Sequence, residues 1–387
     1  MDLMKMKSFC AFNVKDDEIV KCFCECEKSE SLAAEKYSEI INILFTKNKT
    51  LGDYFLEMLL YSDSPLVSEC SQNPTQSRIS AIEYDLSIIR GIVSMSAGQI
   101  KLEIAEKTGC KTVIDMPDFE VGKFDFDANY FLDFVRKNGS GIFAKYRAFT
   151  FNGELIPIEK PDPISLSDLK NYEIQRRQVV ENTLCFVKGQ PAQNVLLYGD
   201  RGTGKSSTVK AIFNEFKELR MIEIAKEDIK LLPELFNILG RTNLKFIVTI
   251  DDLSFSEVDD RFAILKAALD GSLSAKPENI LIYATTNRRK IIRETVAERE
   301  VSAADAIDES MSLSDRFGLF ITFSKPDKAL YLNIVHQLAA DKGIEIEETR
   351  LNEAAERFAL RHSGRSPRTA KQFVEWLEGR IELNLEY

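Results

Sequence analysis

Residues 194–208 read NVLLYGDRGTGKSST, and this stretch decides the fold. It opens with a short apolar run, Val195 to Tyr198, which is typical of a buried strand. The residues from Gly199 to Ser206 then fit the pattern G-x4-G-K-[ST], and a helical apolar pattern follows them. A strand, a glycine-rich loop and a helix in this order predict a loop that binds phosphate.

Each residue type in this loop has a physical reason to be there. Glycines at 199, 202 and 204 let the backbone turn so that successive N–H groups face phosphate oxygens, and the helix N-terminus adds partial positive charge. Lys205 is predicted to reach the β- and γ-phosphates of ATP, and the Ser206 hydroxyl to bind Mg²⁺. The predicted nucleotide contacts of the loop are Gly199, Asp200, Arg201, Gly202, Thr203, Gly204, Lys205, Ser206 and Ser207.

A second strand pattern ends in two carboxylates. Residues 244–255 read LKFIVTIDDLSF, in which the apolar run stops at Asp251 and Asp252. A carboxylate at the tip of a strand beside a phosphate loop completes a Mg²⁺ site, and we assign this role to Asp251. Asp252 would orient or deprotonate the attacking water. An aspartate pair at a strand end also caps helices or anchors loops, and the Leu253-Ser254 that follows fits this alternative.

Together these motifs resemble those of AAA+ ATPases, over about residues 160 to 385. Within that class, the runs ATTNRRK and SLSDRFGLF look like those of an uncharacterised bacterial family with a poorly understood N-terminal region. The resemblance implies an α/β P-loop NTPase fold with a five-stranded parallel sheet and a helical lid, and ATP held between the subunits of a ring. One position departs from the class, which mostly has glutamate where this chain has Asp252. The aspartate carboxylate sits about 1.5 Å further back, so either hydrolysis is slow or an intervening water fills the gap.

The resemblance also assigns roles to residues outside the two carboxylates. Asn287 ends the strand of residues 279–287 (NILIYATTN) and matches the sensor 1 position, which holds the lytic water. Arg316 precedes the strand predicted at Leu319 to Phe323 and matches the arginine finger, which stabilises phosphoryl charge in a neighbouring subunit. The alternative for Arg316 is a surface ion pair with Asp315 or Glu309.

Two further segments are carried over in the same way. Arg368 follows Pro367 at the start of a predicted helix and resembles the sensor 2 arginine of the lid, with Arg365 as its nearest rival. Residues 166–183 resemble the segment that packs near adenine, and Leu169 and Tyr172 are the expected contacts. A routine strand-end turn for Asn287 and a solvated helix-start arginine for Arg368 are the alternatives.

The rest of the sequence predicts three domains. Residues 1–158 are mainly helical and end in a β-hairpin, because Asn152-Gly153 separates two apolar runs. The segment Glu159 to Pro163 (EKPDP) is a linker, because two prolines interrupt regular structure. Residues 159–324 alternate strands and helices and form the α/β nucleotide-binding domain. Residues 325–387 are helical and form the lid.

Composition limits the cellular compartment and the classes of partner that we expect for this chain. The net charge of −10 does not favour a broad contact with nucleic acid, although a local basic patch stays open. There is no run of eighteen apolar residues and no signal-peptide pattern, so we expect a cytoplasmic protein with no membrane partner. Its cysteines are then expected to be reduced. Cys10, Cys22, Cys24 and Cys26 could hold a metal, but their spacing favours free thiols on an amphipathic strand or helix.

The leading functional hypothesis is Mg²⁺-dependent ATP binding and hydrolysis that drives assembly or remodelling of an unknown macromolecular partner. We expect a homo-oligomeric ring that depends on nucleotide, with a hexamer as one option. The first alternative is a switch or scaffold that binds ATP and turns it over slowly, which Asp252 keeps open. A small-molecule P-loop kinase is the second alternative.

Overall fold

The computed structural model describes residues 3–256, 260–270, 276–287, 292–293, 316–362, 364–383 and 385. The chain divides into two compact units, residues 1–146 and 147–387. Among the described residues, no helix has both the length and the apolar composition needed to cross a bilayer.

The first unit is helical, as its sequence pattern predicts. Several of its helices begin at a side chain that accepts a hydrogen bond from the first turn, as Asp17 and Ser96 do. The helices are α1 Glu18–Cys26, α2 Glu30–Lys47, α3 Leu51–Leu60, α4 Pro65–Gln72, α5 Gln76–Val93, α6 Ala97–Thr108, α7 Thr112–Asp115, α8 Ala128–Asn138 and α9 Ile142–Lys145.

The cysteine-rich segment is helix α1 and not a strand. Cys22 and Cys26 lie one turn apart on its buried face, and burial raises the pKa of each thiol to about 12. Both thiols therefore stay protonated and inert at neutral pH. In the part of the chain that the structure describes, no group of three or more His, Cys, Asp or Glu side chains could hold a metal ion. The free-thiol interpretation fits this geometry.

The second unit is built on a seven-stranded sheet with the order β2-β1-β4-β5-β7-β3-β9. All neighbours in this sheet are parallel except β1 and β2. A two-stranded parallel pair, β6 and β8, stands apart from it. The strands are β1 Ala148–Phe151, β2 Leu155–Pro157, β3 Val195–Gly199, β4 Leu219–Ile224, β5 Lys245–Ile250, β6 Phe255–Ser256, β7 Ile280–Thr286, β8 Ile292–Arg293 and β9 Leu319–Phe323.

The predicted five-stranded sheet is two strands too small, although the fold class is confirmed. The extra strands are those of the predicted hairpin: β1 and β2 flank Asn152-Gly153, and β1 pairs in parallel with β4. The hairpin therefore extends the sheet of the second unit, whereas the sequence placed it in an N-terminal domain that ends at residue 158. Sequence identifies the local turn, but the strand that a hairpin pairs with depends on tertiary packing.

Helices complete the second unit. They are α10 Glu173–Val187, α11 Lys205–Glu215, α12 Leu232–Leu239, α13 Asp260–Asp270, α14 Lys328–Asp341, α15 Glu348–Arg361 and α16 Pro367–Glu382. The linker after the hairpin lies along α11, because the Asn214 side chain donates to the carbonyls of Asp162 and Ile164, each at 2.8 Å. Helices α14 to α16 pack around an apolar core of their own, which includes Tyr331 and Phe373. This arrangement agrees with a helical lid.

Candidate functional site

The candidate site lies at the edge of the sheet where the parallel strands end. Strand β3 runs into the phosphate loop, β5 into Asp251, β7 into Asn287 and β9 into Ser324. Because β3, β5, β7 and β9 are parallel neighbours in register, their carboxyl ends meet at one edge. Ligands of open α/β sheets bind at this edge.

The glycines of the loop are required by its backbone. Gly199, Gly202 and Gly204 have φ of 142°, 77° and 94°, which disfavour residues with a side chain. A Cβ on Gly199 would overlap the Phe323 carbonyl, and one on Gly202 would lie 2.9 Å from Ser366 Oγ. The loop is therefore closely packed against the end of β9 and the start of α16, and Lys205 begins helix α11 directly after it.

The ammonium of Lys205 lies at the centre of the site. It donates to the carbonyls of Gly199 and Asp200, each at 2.8 Å, and to Asn287 Oδ1 at 2.9 Å. Asn287 Nδ2 in turn donates to Asp252 Oδ1 at 2.6 Å. Desolvation lowers the pKa of Lys205, while Asp251, Asp200 and Asp252 oppose that effect. The structure thus brings together Lys205, Asn287 and Asp252, three residues that the sequence analysis assigns to one site.

The two residues predicted to hold magnesium also meet. Ser206 Oγ donates to Asp251 Oδ1 at 2.6 Å. Thr285 Oγ1 donates to the same carboxylate oxygen, and the backbone N–H of Asp252 donates to Thr285 Oγ1 at 3.1 Å. Leu253 N–H donates to the Thr285 carbonyl at 2.7 Å. One buried threonine of β7 therefore fixes both aspartates.

The backbone of Asp252 has a conformation that the sequence pattern did not predict. Its φ is 50°, in the left-handed region that aspartate tolerates better than most residues. Its N–H faces Thr285 and its carboxylate faces Asn287, so this residue leaves the strand at a sharp turn. The backbone conformation, and not side-chain length alone, sets the position of the carboxylate.

Arg368, and not Arg365, lies against the phosphate loop. Arg365 makes a bidentate ion pair with Glu356 inside the lid, at 2.9 and 2.6 Å. Arg368 opens helix α16, and its N–H donates to the Gly202 carbonyl at 3.1 Å. Its exposed side chain starts beside the phosphate loop. Geometry therefore favours Arg368 for the lid arginine.

The segment expected near adenine packs against the end of β9. The Tyr172 hydroxyl donates to the Ser324 carbonyl at 2.6 Å, and the Tyr172 ring lies 5.2 Å from that of Phe323. Leu169 is half-buried after a short 3₁₀ helix, Leu166–Asp168. The Tyr172 side chain is therefore occupied by its contacts with Ser324 and Phe323, whereas Leu169 keeps an accessible apolar surface.

Arg316 lies away from the phosphate loop of its own chain. Leu319 pairs with Val195 and Phe323 with Gly199, so the residues before Leu319 lie at the opposite end of the sheet. The four steps from Leu319 to Phe323 span about 13 Å at the rise of a strand. Arg316 is half-buried there. Its alternative ion-pair partners, Asp315 and Glu309, lie outside the described residues.

Two residues of the site region, Thr285 and Asn171, were not predicted from the sequence. Thr285 lies on β7, two positions before Asn287, which follows the strand directly; the period of two along a strand is the signal that could have found it. Asn171 is buried with a φ of 59°, and its Nδ2 has no hydrogen-bond partner. No sequence pattern predicts the burial or the backbone conformation of Asn171.

These residues fit a magnesium nucleotide. The loop offers a glycine cradle at a helix N-terminus, a lysine, and a hydroxyl facing a carboxylate, which is the donor set for phosphate and Mg²⁺. Among the residues that the structure describes, we assign only two side chains, Ser206 and Asp251, as ligands of the metal. Nucleotide phosphates and water would have to supply the other oxygens, as is usual for Mg²⁺.

The chain is similar to several known proteins over part of its length. It is 26% identical to a probable spastin homologue of Brugia malayi over 176 residues, which cover 38% of this chain and 39% of that protein. The chain thus spans about two fifths of this curated relative.

Solved structures of Thermotoga maritima RuvB are also similar. The Holliday junction branch migration motor gives a TM-score of 0.41 at 16% identity and covers 57% of this chain and 66% of that chain. A point variant of the same protein gives a TM-score of 0.40 at 15% identity, with the same coverage.

A family model matches residues 142–381, which is more than half of the 387-residue chain. The matched region starts just before β1 and ends in α16, so it contains the whole sheet, the site and the lid helices. The chain therefore belongs to the family described as protein of unknown function (DUF815), which confirms the predicted resemblance to an uncharacterised family.

Proposed function

We propose that this protein binds ATP with Mg²⁺ and hydrolyses it, and that it uses the cycle to assemble with or remodel a macromolecular partner. The observation that carries the proposal is the contact of Ser206 with Asp251 beside Lys205, Asn287 and Asp252. Phosphate-binding, metal-binding and water-orienting groups converge there at the end of a parallel sheet. We propose a nucleotide-binding domain over residues 159–324, extended by the hairpin strands β1 and β2 of the same sheet, and a lid over residues 325–387.

In this proposal each side chain has a separate task. Lys205 would exchange its carbonyl contacts for phosphate oxygens, and Ser206 and Asp251 would hold the metal. When bound, Mg²⁺ supplies charge neutralisation at the phosphates. Asp252 accepts a proton from water or orients it, and Asn287 holds that water. Arg368 approaches the phosphates from the lid, because its backbone already contacts the loop at Gly202.

The position of Arg316 supports a ring assembly. This residue lies at the end of the sheet remote from the phosphate loop of its own chain. An arginine finger at Arg316 would therefore act on the site of a neighbouring subunit. We propose a nucleotide-dependent homo-oligomer, with a hexamer as one option, in the cytoplasm. The acidic charge does not favour nucleic acid as the partner.

A slow switch is the second candidate, and one observation favours it. Asn287 bridges Lys205 and Asp252, so the two groups needed for binding and chemistry are tied together. Breaking this bridge in each cycle would slow turnover. The switch predicts turnover well below about 1 s⁻¹ and nucleotide that co-purifies. The remodelling hypothesis predicts faster turnover, which a partner stimulates.

The test compares two lysines of one helix. Lys205→Ala should abolish ATP binding, measured by titration with a fluorescent nucleotide. Lys210→Ala is the matched control, because Lys210 is exposed on the same helix and its ammonium pairs with Asp162 at 3.4 Å. Lys205→Ala with normal ATP binding would remove the assigned site.

The Lys205→Ala variant also tests the ring when it is mixed with a second variant, Arg316→Ala. Arg316→Ala should bind ATP but lose roughly 10³-fold in turnover, the scale of an arginine finger. Mixing it with Lys205→Ala, which offers an intact Arg316, should restore part of the activity. Light scattering with ADP and with a non-hydrolysable ATP analogue reports the assembly. Failure of rescue in a mixture that does assemble would contradict a finger acting between subunits.

A further inference from the structure

Arg147 holds the far end of the helix that follows the phosphate loop. Its Nη2 donates to the carbonyls of Phe213 and Phe216, at 2.8 and 2.7 Å, and its Nε donates to the Leu219 carbonyl at 3.3 Å. The guanidinium also lies over the Phe213 ring, 4.4 Å from its centroid. Helix α11 ends at Glu215, so these carbonyls belong to its last turn and to the turn that follows. Arg147 therefore caps the carboxyl end of α11.

The physical chemistry of a helix end makes this cap a strong contact. The last carbonyls of a helix carry partial negative charge and have no partner within the helix, so a cation is favoured there. Arg147 is half-buried, and burial lowers the pKa of its guanidinium, but an arginine stays charged at neutral pH. Hydrogen bonds from a charged donor are about twice as strong as neutral ones. Loss of the guanidinium would remove all of these contacts at once.

The segment that follows Arg147 in the chain contacts the same helix at a second point. Asn214 Nδ2 donates to the carbonyls of Asp162 and Ile164, each at 2.8 Å. Both ends of the segment from residue 147 to residue 164 are therefore joined to the last turns of α11. We call residues 147–164 the clamp.

The other end of α11 carries the phosphate-binding groups. Lys205 is the first residue of this helix and Ser206 the second, directly after the loop. The helix has 11 residues, so it is about 16 Å long, and a helix of this length moves as a rigid element. A displacement of its capped end is therefore passed on to Lys205 and Ser206. A misplacement of about 1 Å in a site is enough to slow a reaction about 10²-fold.

We propose that Arg147 is a positioning residue for nucleotide binding, and that a bound nucleotide in turn tightens the clamp. This inference rests on the proposed nucleotide site and adds a coupled segment to it. If the intact clamp favours the helix position that binds ATP, ATP must favour the intact clamp by the same factor, because coupling between two sites is reciprocal. The clamp begins where the second unit begins. It is therefore the covalent connection between the first unit and the nucleotide site.

The first experiment measures nucleotide affinity in the full chain. Arg147→Gln removes the charge and the guanidinium, so a fluorescent ATP analogue should bind about 5- to 10-fold more weakly, the scale of one hydrogen bond. Arg147→Lys keeps a cation at the end of α11 and should recover part of the affinity. Asn279→Ala is the matched control, because the Asn279 amide donates to three backbone carbonyls at and just after the end of a different helix, α12. This control should lose stability and keep its ATP affinity.

Hydrogen exchange tests the reciprocal effect. In the wild type, a saturating non-hydrolysable ATP analogue should slow the exchange of the backbone amides of residues 148–158 by about 5- to 10-fold, the same factor as the change in affinity. Arg147→Gln, saturated with the same analogue, should lose this protection. A contact with only a structural role would change the exchange rates equally with and without the nucleotide.

The outcomes separate this inference from the proposed function. Wild-type ATP affinity in folded Arg147→Gln, equal protection of residues 148–158 in both proteins, or an equal loss of affinity in Asn279→Ala would overturn the role of Arg147 and leave the nucleotide site intact. A wild type that binds no ATP would overturn both. Thermal unfolding shows whether each variant is folded. If Arg147→Gln does not fold, wild-type affinity in Arg147→Lys together with no protection in the wild type would overturn the inference.

Discussion

Thr285→Val tests how the site is held together. The threonine hydroxyl donates to Asp251 and accepts the N–H of Asp252 at 3.1 Å. Valine has nearly the same shape, so the substitution removes two hydrogen bonds without opening a cavity. We expect Thr285→Val to loosen both aspartates and so to weaken the Mg²⁺-dependent part of nucleotide binding.

The expected loss of stability follows from the two hydrogen bonds of the Thr285 hydroxyl. A hydrogen bond to a charged group contributes about 1.5–3 kcal/mol, and an unpaired buried N–H costs about 1–3 kcal/mol. Asp251 and Asp252 are exposed, so water replaces part of both contacts. We therefore expect a loss of about 1–3 kcal/mol in the free energy of unfolding, which corresponds to a fall of about 2–10 °C in the unfolding midpoint for a unit of this size.

The assay measures ATP affinity with Mg²⁺ and with a chelator, together with thermal unfolding. Thr285→Val should reduce the tightening that Mg²⁺ produces by about 3- to 10-fold, and Thr285→Ser should restore it. Thr183→Val is the matched control, because Thr183 is also buried and bonds Val179 and Tyr283 away from the site. If both valine variants lose stability but Thr285→Val keeps the full Mg²⁺ effect, the inferred role of Thr285 is wrong.

The remaining predictions concern a backbone conformation and a buried charge. Asp252→Glu should not raise turnover. The backbone φ of 50° at this position suits aspartate better than glutamate, and the longer glutamate side chain would extend past Asn287. An increase in kcat of about tenfold would show instead that the length of the Asp252 side chain limits turnover. Burial lowers the pKa of Lys276 from 10.5 to about 8. Between these pH values the folded state has released this proton and the unfolded chain still holds it, so the free energy of unfolding should rise with pH over this window, by about 1–3 kcal/mol. Lys276→Met should abolish that rise in denaturant unfolding measured from pH 7.5 to 10.5, and an identical pH dependence in both proteins would contradict the assignment.

Local sequence determined the phosphate loop and the ends of the strands. A strand, three glycines, Lys205 and Ser206 are contiguous, so backbone geometry and the start of α11 follow from neighbouring residues alone. The same holds for the turn at Asn152-Gly153 and for the tips of β5 and β7. The parallel order then brings Asp251 and Asn287 to one edge, which the fold class already implies.

Only the tertiary structure decided which long-range partners these elements take. It joined the hairpin to β4, paired Arg365 with Glu356, set the backbone N–H of Arg368 against Gly202, and placed Arg316 at the far end of the sheet. It also put Thr285 against two aspartates and left the Asn171 amide without a partner. These contacts join residues distant along the chain. Their energies depend on burial and orientation, which a linear pattern of residue types does not contain.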